Sequence, residues 1–152
     1  ENIMYENFNL KELLESIISN NDFENKMILV SSTLDKEINS SKIGILQIFQ
    51  NLISNSRKFS DEDKAIIDVN FKEDAEFYHL TYMDNGPGIE KEYRDKVFEM
   101  FETLNNTSNN NTGIGLTTVK SIVKRLGGTI SLGEREDNKK GVCFNFSISR
   151  RI

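Results

Sequence analysis

Apolar residues recur along the chain at two spacings, which predict a mixture of helices and strands. Spacings of three and four predict helices over residues 10–20, 41–59 and 115–126. Short alternating or continuous apolar runs predict strands over residues 27–32, 65–71, 77–83, 129–132 and 142–148, with a possible short strand within 35–40. Residues 90–99 are predicted to form a short helix, and residues 1–7 a leader. We expect Asn9 to cap the first helix and Gly127-Gly128 to end the last one.

Two glycine-rich stretches interrupt this pattern. Asp84-Asn85-Gly86-Pro87-Gly88-Ile89 follows a predicted strand, and Asn111-Thr112-Gly113-Ile114-Gly115-Leu116 opens a predicted helix. Glycines allow close backbone approach, and a helix N-terminus offers free N–H groups that suit phosphate. Neither stretch is a P-loop or a dinucleotide fingerprint. A single Gly-x-Gly is usually a structural turn, but two such turns, one of them with an acidic residue, suggest a nucleotide held at both ends.

A polar stripe runs along the predicted helix 41–59. Its members, Gln47, Asn51, Asn55 and Lys58, fall within roughly 80° of arc on a helix that is otherwise largely apolar. An ordinary solvent-facing stripe is one interpretation. The other is a ligand-binding groove, because the stripe is rich in asparagine, a poor helix former, and because amide oxygens and an ammonium suit a hard cation and phosphate.

Composition narrows the class of protein. The 152 residues carry a net charge of −5, which fits one domain and argues against a nucleic-acid surface. We find no apolar run long enough to cross a bilayer and no signal peptide. The single cysteine, Cys143, excludes an internal disulfide and a cysteine zinc site, and we expect it to be buried. His79 is expected to be structural or on the surface. Because the chain begins with Glu1, we expect it to be a piece of a longer protein.

Four stretches, taken in order, carry a family resemblance. Residues 51–59, 84–89, 97–101 and 111–116 closely resemble the N, G1, F and G2 boxes of the ATP-binding catalytic domain of bacterial sensor histidine kinases, within the GHKL superfamily. Residues 141–144 resemble its last and weaker glycine box. The resemblance covers about residues 8–148. It implies an α+β Bergerat fold, a two-layer α/β sandwich of a mixed, largely antiparallel sheet with helices on one face.

The same resemblance implies ATP and Mg²⁺ as cofactors and assigns roles to residues. Asn55 and Asn51 would lie at the metal, Lys58 at a phosphate, and Asn51 and Lys58 would be the catalytic residues. Asp84 would accept the adenine amino hydrogen bond, and Gly86 and Gly88 would let the base approach. The phosphates would lie along Thr112, Gly113, Ile114, Gly115 and Leu116. Residues 105–112 would form a lid, anchored by Phe98 and Phe101.

Asn51 separates this chain from hydrolytic relatives. The family's ATPases and its anti-sigma serine kinases carry a glutamate there, whereas an amide cannot accept a proton near neutral pH. We therefore expect transfer of the γ-phosphoryl to a neutral histidine on a separate dimerisation domain, a reaction that needs mostly positioning and charge neutralisation. The expected partners are that domain and, through it, a response regulator. We expect a cytoplasmic location and no contact of this domain with membrane or nucleic acid.

Two alternatives remain at this point. One is a stand-alone anti-sigma-type serine kinase of the same fold. The other is a degenerate domain that binds nucleotide only to regulate. The second draws on residues 102–112, which lack Lys and Arg, and on Val142, which stands where relatives often have Ser or Thr. The phosphoacceptor helix is not in this sequence, so this domain alone should bind ATP without autophosphorylating.

Overall fold

The computed structural model describes residues 2–20, 26–31, 33–98 and 112–150, with the backbone only for 112–115. The helices are α1 (Leu10–Asn20), α2 (Lys42–Phe59) and α3 (Thr112–Arg125). The strands are β1 (Glu6–Asn9), β2 (Met27–Val30), β3 (Glu37–Ser40), β4 (Ala65–Glu73), β5 (Phe77–Asp84), β6 (Ile130–Gly133) and β7 (Cys143–Ser149).

Five strands form the main sheet, in the order β2-β4-β5-β7-β6. β2 runs parallel to β4, and the other neighbours are antiparallel, including the predicted β4–β5 hairpin. β1 and β3 form a separate antiparallel pair. The Tyr78 hydroxyl joins the two sheets by accepting a hydrogen bond of 3.1 Å from the Asn39 backbone N–H. The predicted mixed, largely antiparallel sheet is therefore confirmed.

The core lies between one face of this sheet and the helices. Alternate residues of β4, β5 and β7 are buried against α2 and α3, whereas their neighbours on the opposite face are partly or fully exposed, except Cys143, which is buried as predicted. Phe49 of α2 packs against Phe146 of β7, with ring centroids 5.7 Å apart. Since alternation along a strand places every second side chain on one face, this burial accounts for the two-layer arrangement.

The helix ends follow their capping chemistry. The Asn9 side-chain oxygen accepts a hydrogen bond of 2.9 Å from the backbone N–H of Glu12, as predicted for an N-cap. The Ser41 hydroxyl caps α2 in the same way, through Gly44 N–H. At the end of α3, Gly127 N–H donates to the Lys124 carbonyl and Gly128 N–H to that of Val123, a Schellman motif.

Three boundaries differ from the sequence prediction. The predicted helix 90–99 is, over its described part, a short 3-10 turn at Lys91–Tyr93 followed by turns. Only Val97 there is buried, so the segment has no apolar stripe to hold a longer helix against the core. β1 begins at Glu6, so the last two residues of the predicted leader belong to a strand. α3 begins at Thr112, three residues before the predicted start at Gly115, which places Gly113 inside its first turn rather than before the helix. No helix in the described part of the chain is both long and apolar enough to cross a bilayer.

Candidate functional site

Asp84 is the buried carboxylate at the end of β5. Strand alternation places it on the helix-facing side with Leu80 and Tyr82, and it is only 5% exposed. Its Oδ1 accepts hydrogen bonds of 3.0 Å from the backbone N–H groups of Gly86 and Val142. Its Oδ2 accepts one of 2.6 Å from the Ser56 hydroxyl. A carboxylate offers about four lone-pair positions, so the described residues leave one acceptor position, on Oδ2.

Ser56 connects α2 to this strand end. Its hydroxyl proton goes to Asp84, because a carboxylate can only accept. The Tyr82 hydroxyl therefore shares its one proton between Ser56 Oγ at 2.7 Å and the Leu52 carbonyl oxygen at 3.1 Å. Burial raises the pKa of Tyr82 well above its ordinary value, although the hydrogen bond to Ser56 opposes the shift. Tyr82 thus stays protonated and can donate. The Asp84 carboxylate is the end of a hydrogen-bonded hydroxyl relay formed by Tyr82 and Ser56.

Ser56 and Tyr82 were not among the site residues predicted from the sequence. Two signals were present. Ser56 is a polar residue on the apolar face of α2, and Tyr82 lies two residues before Asp84 on the same face of a strand.

The main chain at Asp84 is held as closely as its side chain. Its carbonyl oxygen accepts a hydrogen bond of 2.7 Å from Arg135 Nη1, and its N–H donates to the Val142 carbonyl at 3.3 Å. Gly141 passes over the same carbonyl so closely that a Cβ there would collide with the oxygen, and its φ is +132°. Position 141 therefore requires glycine. Arg135 is a third residue that the sequence analysis missed.

The first glycine stretch surrounds the carboxylate. A Cβ at Gly86 would lie 3.5 Å from Asp84 Oδ1, beside the acceptor group. Gly88 has φ of +82°, and a Cβ there would lie 3.2 Å from the Gly141 carbonyl oxygen. The predicted close approach of a base to Gly86 and Gly88 remains a prediction. The structure shows that Gly88 also allows close contact between this stretch and the backbone of Gly141.

The polar stripe of α2 divides into three environments. The Asn51 side-chain N–H donates to the Gln47 carbonyl oxygen at 2.9 Å, which leaves the amide oxygen as an acceptor. Asn55 precedes Ser56, and its amide nitrogen is shielded from solvent without a hydrogen bond to any residue that the structure describes. Lys58 is exposed, with Nζ 5.6 Å from the Phe59 ring centroid. The structure therefore places Asn55 half-buried, next to Ser56 in the sequence, and Lys58 at the surface.

The expected metal fits this donor set. The described part of the chain contains no group of three or more His, Cys, Asp or Glu side chains that could hold a metal ion. Mg²⁺ needs no such cluster, because it usually takes one or two protein oxygens and shares phosphate oxygens and water. The amide oxygens of Asn51 and Asn55 are suited to that role, whereas the Asn55 side-chain nitrogen, which has no partner among the described residues, can only donate a hydrogen bond and suits a phosphate oxygen.

Phe98 joins the sheet to α3. Its ring packs edge-on against Phe144, with centroids 6.1 Å apart, and Lys120 Nζ lies 5.8 Å from its centroid. The Thr117 hydroxyl donates to the Phe98 carbonyl oxygen at 3.2 Å. These contacts fit the expected anchoring role of Phe98, whereas Phe101 and lid residues 105–111 lie outside the described residues.

The second glycine stretch forms the start of α3. Thr112, Gly113, Ile114 and Gly115 belong to its first turn, and Leu116 is buried at 2% exposure. The first four N–H groups of a helix have no partner within the helix. The predicted phosphate contacts of residues 112–115 can therefore come from backbone N–H groups. Leu116 is the fifth residue of the helix and its side chain is in the core, so this geometry does not extend to it and its phosphate contact remains a prediction.

Comparison with known proteins gives a family. Residues 40–152 match the family described as "Histidine kinase-, DNA gyrase B-, and HSP90-like ATPase". The heme sensor protein HssS of Staphylococcus saprophyticus is 31% identical over 143 residues, covering 92% of this chain and 30% of HssS. The chain thus spans less than a third of that relative.

Solved structures share the fold. The mycobacterial sensor histidine kinase MprB aligns with a TM-score of 0.78 at 20% identity, covering 97% of this chain and 99% of that one. Histidine kinase ThkA, solved in complex with the response regulator protein TrrA, aligns with a TM-score of 0.73 at 23% identity, covering 97% and 42%. The expected histidine-kinase-type fold is confirmed, and the chain belongs to the family of histidine kinase-, DNA gyrase B- and HSP90-like ATPases.

Proposed function

We propose that this chain binds ATP with Mg²⁺ and presents the γ-phosphoryl group to a histidine on the dimerisation domain of a larger sensor kinase. The observation that carries the proposal is Asp84, a buried carboxylate with three hydrogen-bond donors in place and one acceptor position left. The parent kinase would act in the cytoplasm and pass the phosphoryl group to a response regulator. The ThkA–TrrA complex supports such a partner.

Asp84 gives the site its choice of base. The free position on Oδ2 suits the amino group of adenine, which donates. Guanine presents a carbonyl oxygen at the same edge, so the carboxylate would face a second acceptor and lose its partner. Leaving a buried polar group unpaired costs about 1–3 kcal/mol, and more for a charged one. ATP should therefore bind in clear preference to GTP.

The asparagines of α2 determine whether the site favours transfer or hydrolysis of the γ-phosphoryl group. Asn55 and Asn51 would hold Mg²⁺, which when bound neutralises phosphate charge and orients the chain of phosphates. Neither amide can take a proton from water, so hydrolysis should be slow. An incoming neutral imidazole needs no base. Its nitrogen forms the new bond to phosphorus as the bond to the bridging oxygen of ADP breaks. Lys58, free of any ion pair with a described residue, is available to approach a phosphate.

Nucleotide-dependent thermal unfolding tests the binding half of this proposal. ATP at about 100 times its Kd should add about 2.7 kcal/mol of stability. We expect a clear rise in Tm with ATP and Mg²⁺, a smaller one with EDTA and little with GTP. Asp84→Asn should abolish the response, because it puts an amide N–H₂ where the adenine amino group needs an acceptor. Asp74→Asn, at the opposite end of β5, is the matched control and should keep it.

Transfer is tested by mixing this domain and labelled ATP with the separately produced dimerisation domain of the parent kinase. Acid-labile label on that domain, absent with Asp84→Asn, supports the kinase function. ATP binding without label would favour the regulatory alternative, and no binding at all would refute both. The serine-kinase alternative is not favoured by relatives that are sensor histidine kinases.

A further inference from the structure

Arg135 lies between β6 and β7 and is one of the most enclosed cations in the described part of the chain, with a side chain only 8% exposed. Its guanidinium holds the Asp137 carboxylate through two parallel bonds, Nε to Oδ1 at 3.0 Å and Nη2 to Oδ2 at 2.7 Å. The remaining nitrogen, Nη1, donates to the Asp84 carbonyl oxygen at 2.7 Å. Asp137 raises the pKa of Arg135, and the pKa of Asp137 falls to about 2, so both stay charged near neutral pH.

The planar guanidinium makes these three bonds act as one unit. Its N–H groups sit in a fixed fork, so an arginine held at two nitrogens by a carboxylate cannot turn the third independently. Asp137 therefore determines where Nη1 points, and Nη1 holds the carbonyl of Asp84. This carbonyl lies where the chain leaves β5 for the Gly86 turn, the turn whose N–H also binds the Asp84 carboxylate.

We propose that Arg135, braced by Asp137, is a positioning residue that fixes the main chain of Asp84 and thereby sets the preference of the site for adenine. The inference rests on the proposed adenine-binding role of Asp84. Arg135 contacts the backbone carbonyl of that residue and not its carboxylate, and so needs no contact with the nucleotide. Without Arg135, the Asp84 carboxylate would keep its charge, but its orientation would be less firmly fixed.

Arg150 provides a matched control. Its Nη1 donates to the Asp74 carbonyl oxygen at 2.6 Å, and it pairs with Glu73 at 3.1 Å. It therefore makes the same kind of backbone contact at the far end of the sheet. Arg150→Ala removes an equivalent interaction without touching Asp84, so it reports the effect of lost stability alone.

The test is the preference for ATP, measured as the ratio of the Kd for inosine triphosphate to the Kd for ATP. Inosine triphosphate carries a carbonyl in place of the amino group. Titration calorimetry would be run with Mg²⁺ at a temperature where each variant is folded. Arg135→Ala should weaken ATP binding by about tenfold, the size of a partly lost hydrogen bond to a charged group, while binding of inosine triphosphate changes little. Asp137→Ala changes a more exposed residue and should lower the same ratio by less. It replaces Arg135→Ala as the test if Arg135→Ala does not fold. Arg135→Lys should restore part of it.

Each result has one meaning. A wild-type ratio in both Arg135→Ala and Asp137→Ala, with lowered Tm, would overturn the inference and leave Arg135 a purely structural residue. An equal fall of the ratio in Arg150→Ala would overturn it too. A wild-type protein that binds both nucleotides equally would instead overturn the proposed role of Asp84, and this inference with it.

Discussion

Replacing Ser56 by alanine removes the hydroxyl that joins α2 to the end of β5. Ser56 is 5% exposed and donates to Asp84 at 2.6 Å. A hydrogen bond to a charged group contributes about 1.5–3 kcal/mol. Tyr82 keeps a partner in the variant, because its hydroxyl also reaches the Leu52 carbonyl oxygen. The expected loss is therefore that of the Asp84 bond alone, about 1.5–3 kcal/mol.

For a domain of this size, 1 kcal/mol shifts Tm by about 2–4 °C, so Ser56→Ala should melt roughly 3–12 °C below the wild type. Circular dichroism at pH 7 without nucleotide would measure it. Ser54→Ala is the control, because Ser54 lies on the same helix but is exposed and experiences the same gain in helix propensity. If Ser56→Ala melts at the temperature of Ser54→Ala, then the hydroxyl relay does not stabilise the fold and the reasoning about Asp84 fails.

Two further variants test other parts of the structure. Gly141→Ala should destabilise the fold by more than about 3 kcal/mol in urea unfolding, because its φ of +132° strains any side chain and the new Cβ collides with the Asp84 carbonyl; near-wild-type stability would contradict this packing. Asp74→Asn tests pH dependence. A hydrogen bond from His79 and two from backbone N–H groups lower the pKa of Asp74 from 3.8 to about 2. Since the folded pKa lies below the unfolded one, this stabilisation is complete above about pH 4 and is lost as the pH falls to about 2. The variant should flatten the Tm–pH profile between about pH 4 and pH 2. An unchanged slope there would argue against a lowered pKa of Asp74.

Periodicity predicted the strands of the main sheet and all three helices, because burial on one face leaves a repeating mark in the sequence. It failed over residues 90–99, where a run of charged residues is compatible with helix propensity. In the described part of that segment, only Val97 and Phe98 pack against the core. It also placed the start of α3 too late, at Gly115, since the apolar spacing begins only at Leu116 and glycine gives no sign of which conformation it takes.

The site was predictable as a set of motifs but not as a set of contacts. Asp84 stood out because a carboxylate after a buried strand is unusual. Ser56 did not, because a small polar residue on an apolar helix face resembles a tolerated substitution. Arg135 lies in the charged segment 133–141. The sequence alone does not show which charged residue of that segment contacts the end of β5. That selection depends on the pairing of β5 with β7, which only the folded chain displays.

The hydrogen bonds of Asp84 also bear on how the domain folds. Their partners Ser56, Arg135 and Val142 lie 28, 51 and 58 positions away from Asp84 along the sequence. Contacts of such long range form only after large loops have closed, at an entropic cost. The carboxylate therefore gains its surroundings late, when β5 and β7 meet, and cannot lose them by fraying of one segment. A ligand bound there would slow global unfolding and would protect amide hydrogens across the whole sheet from exchange.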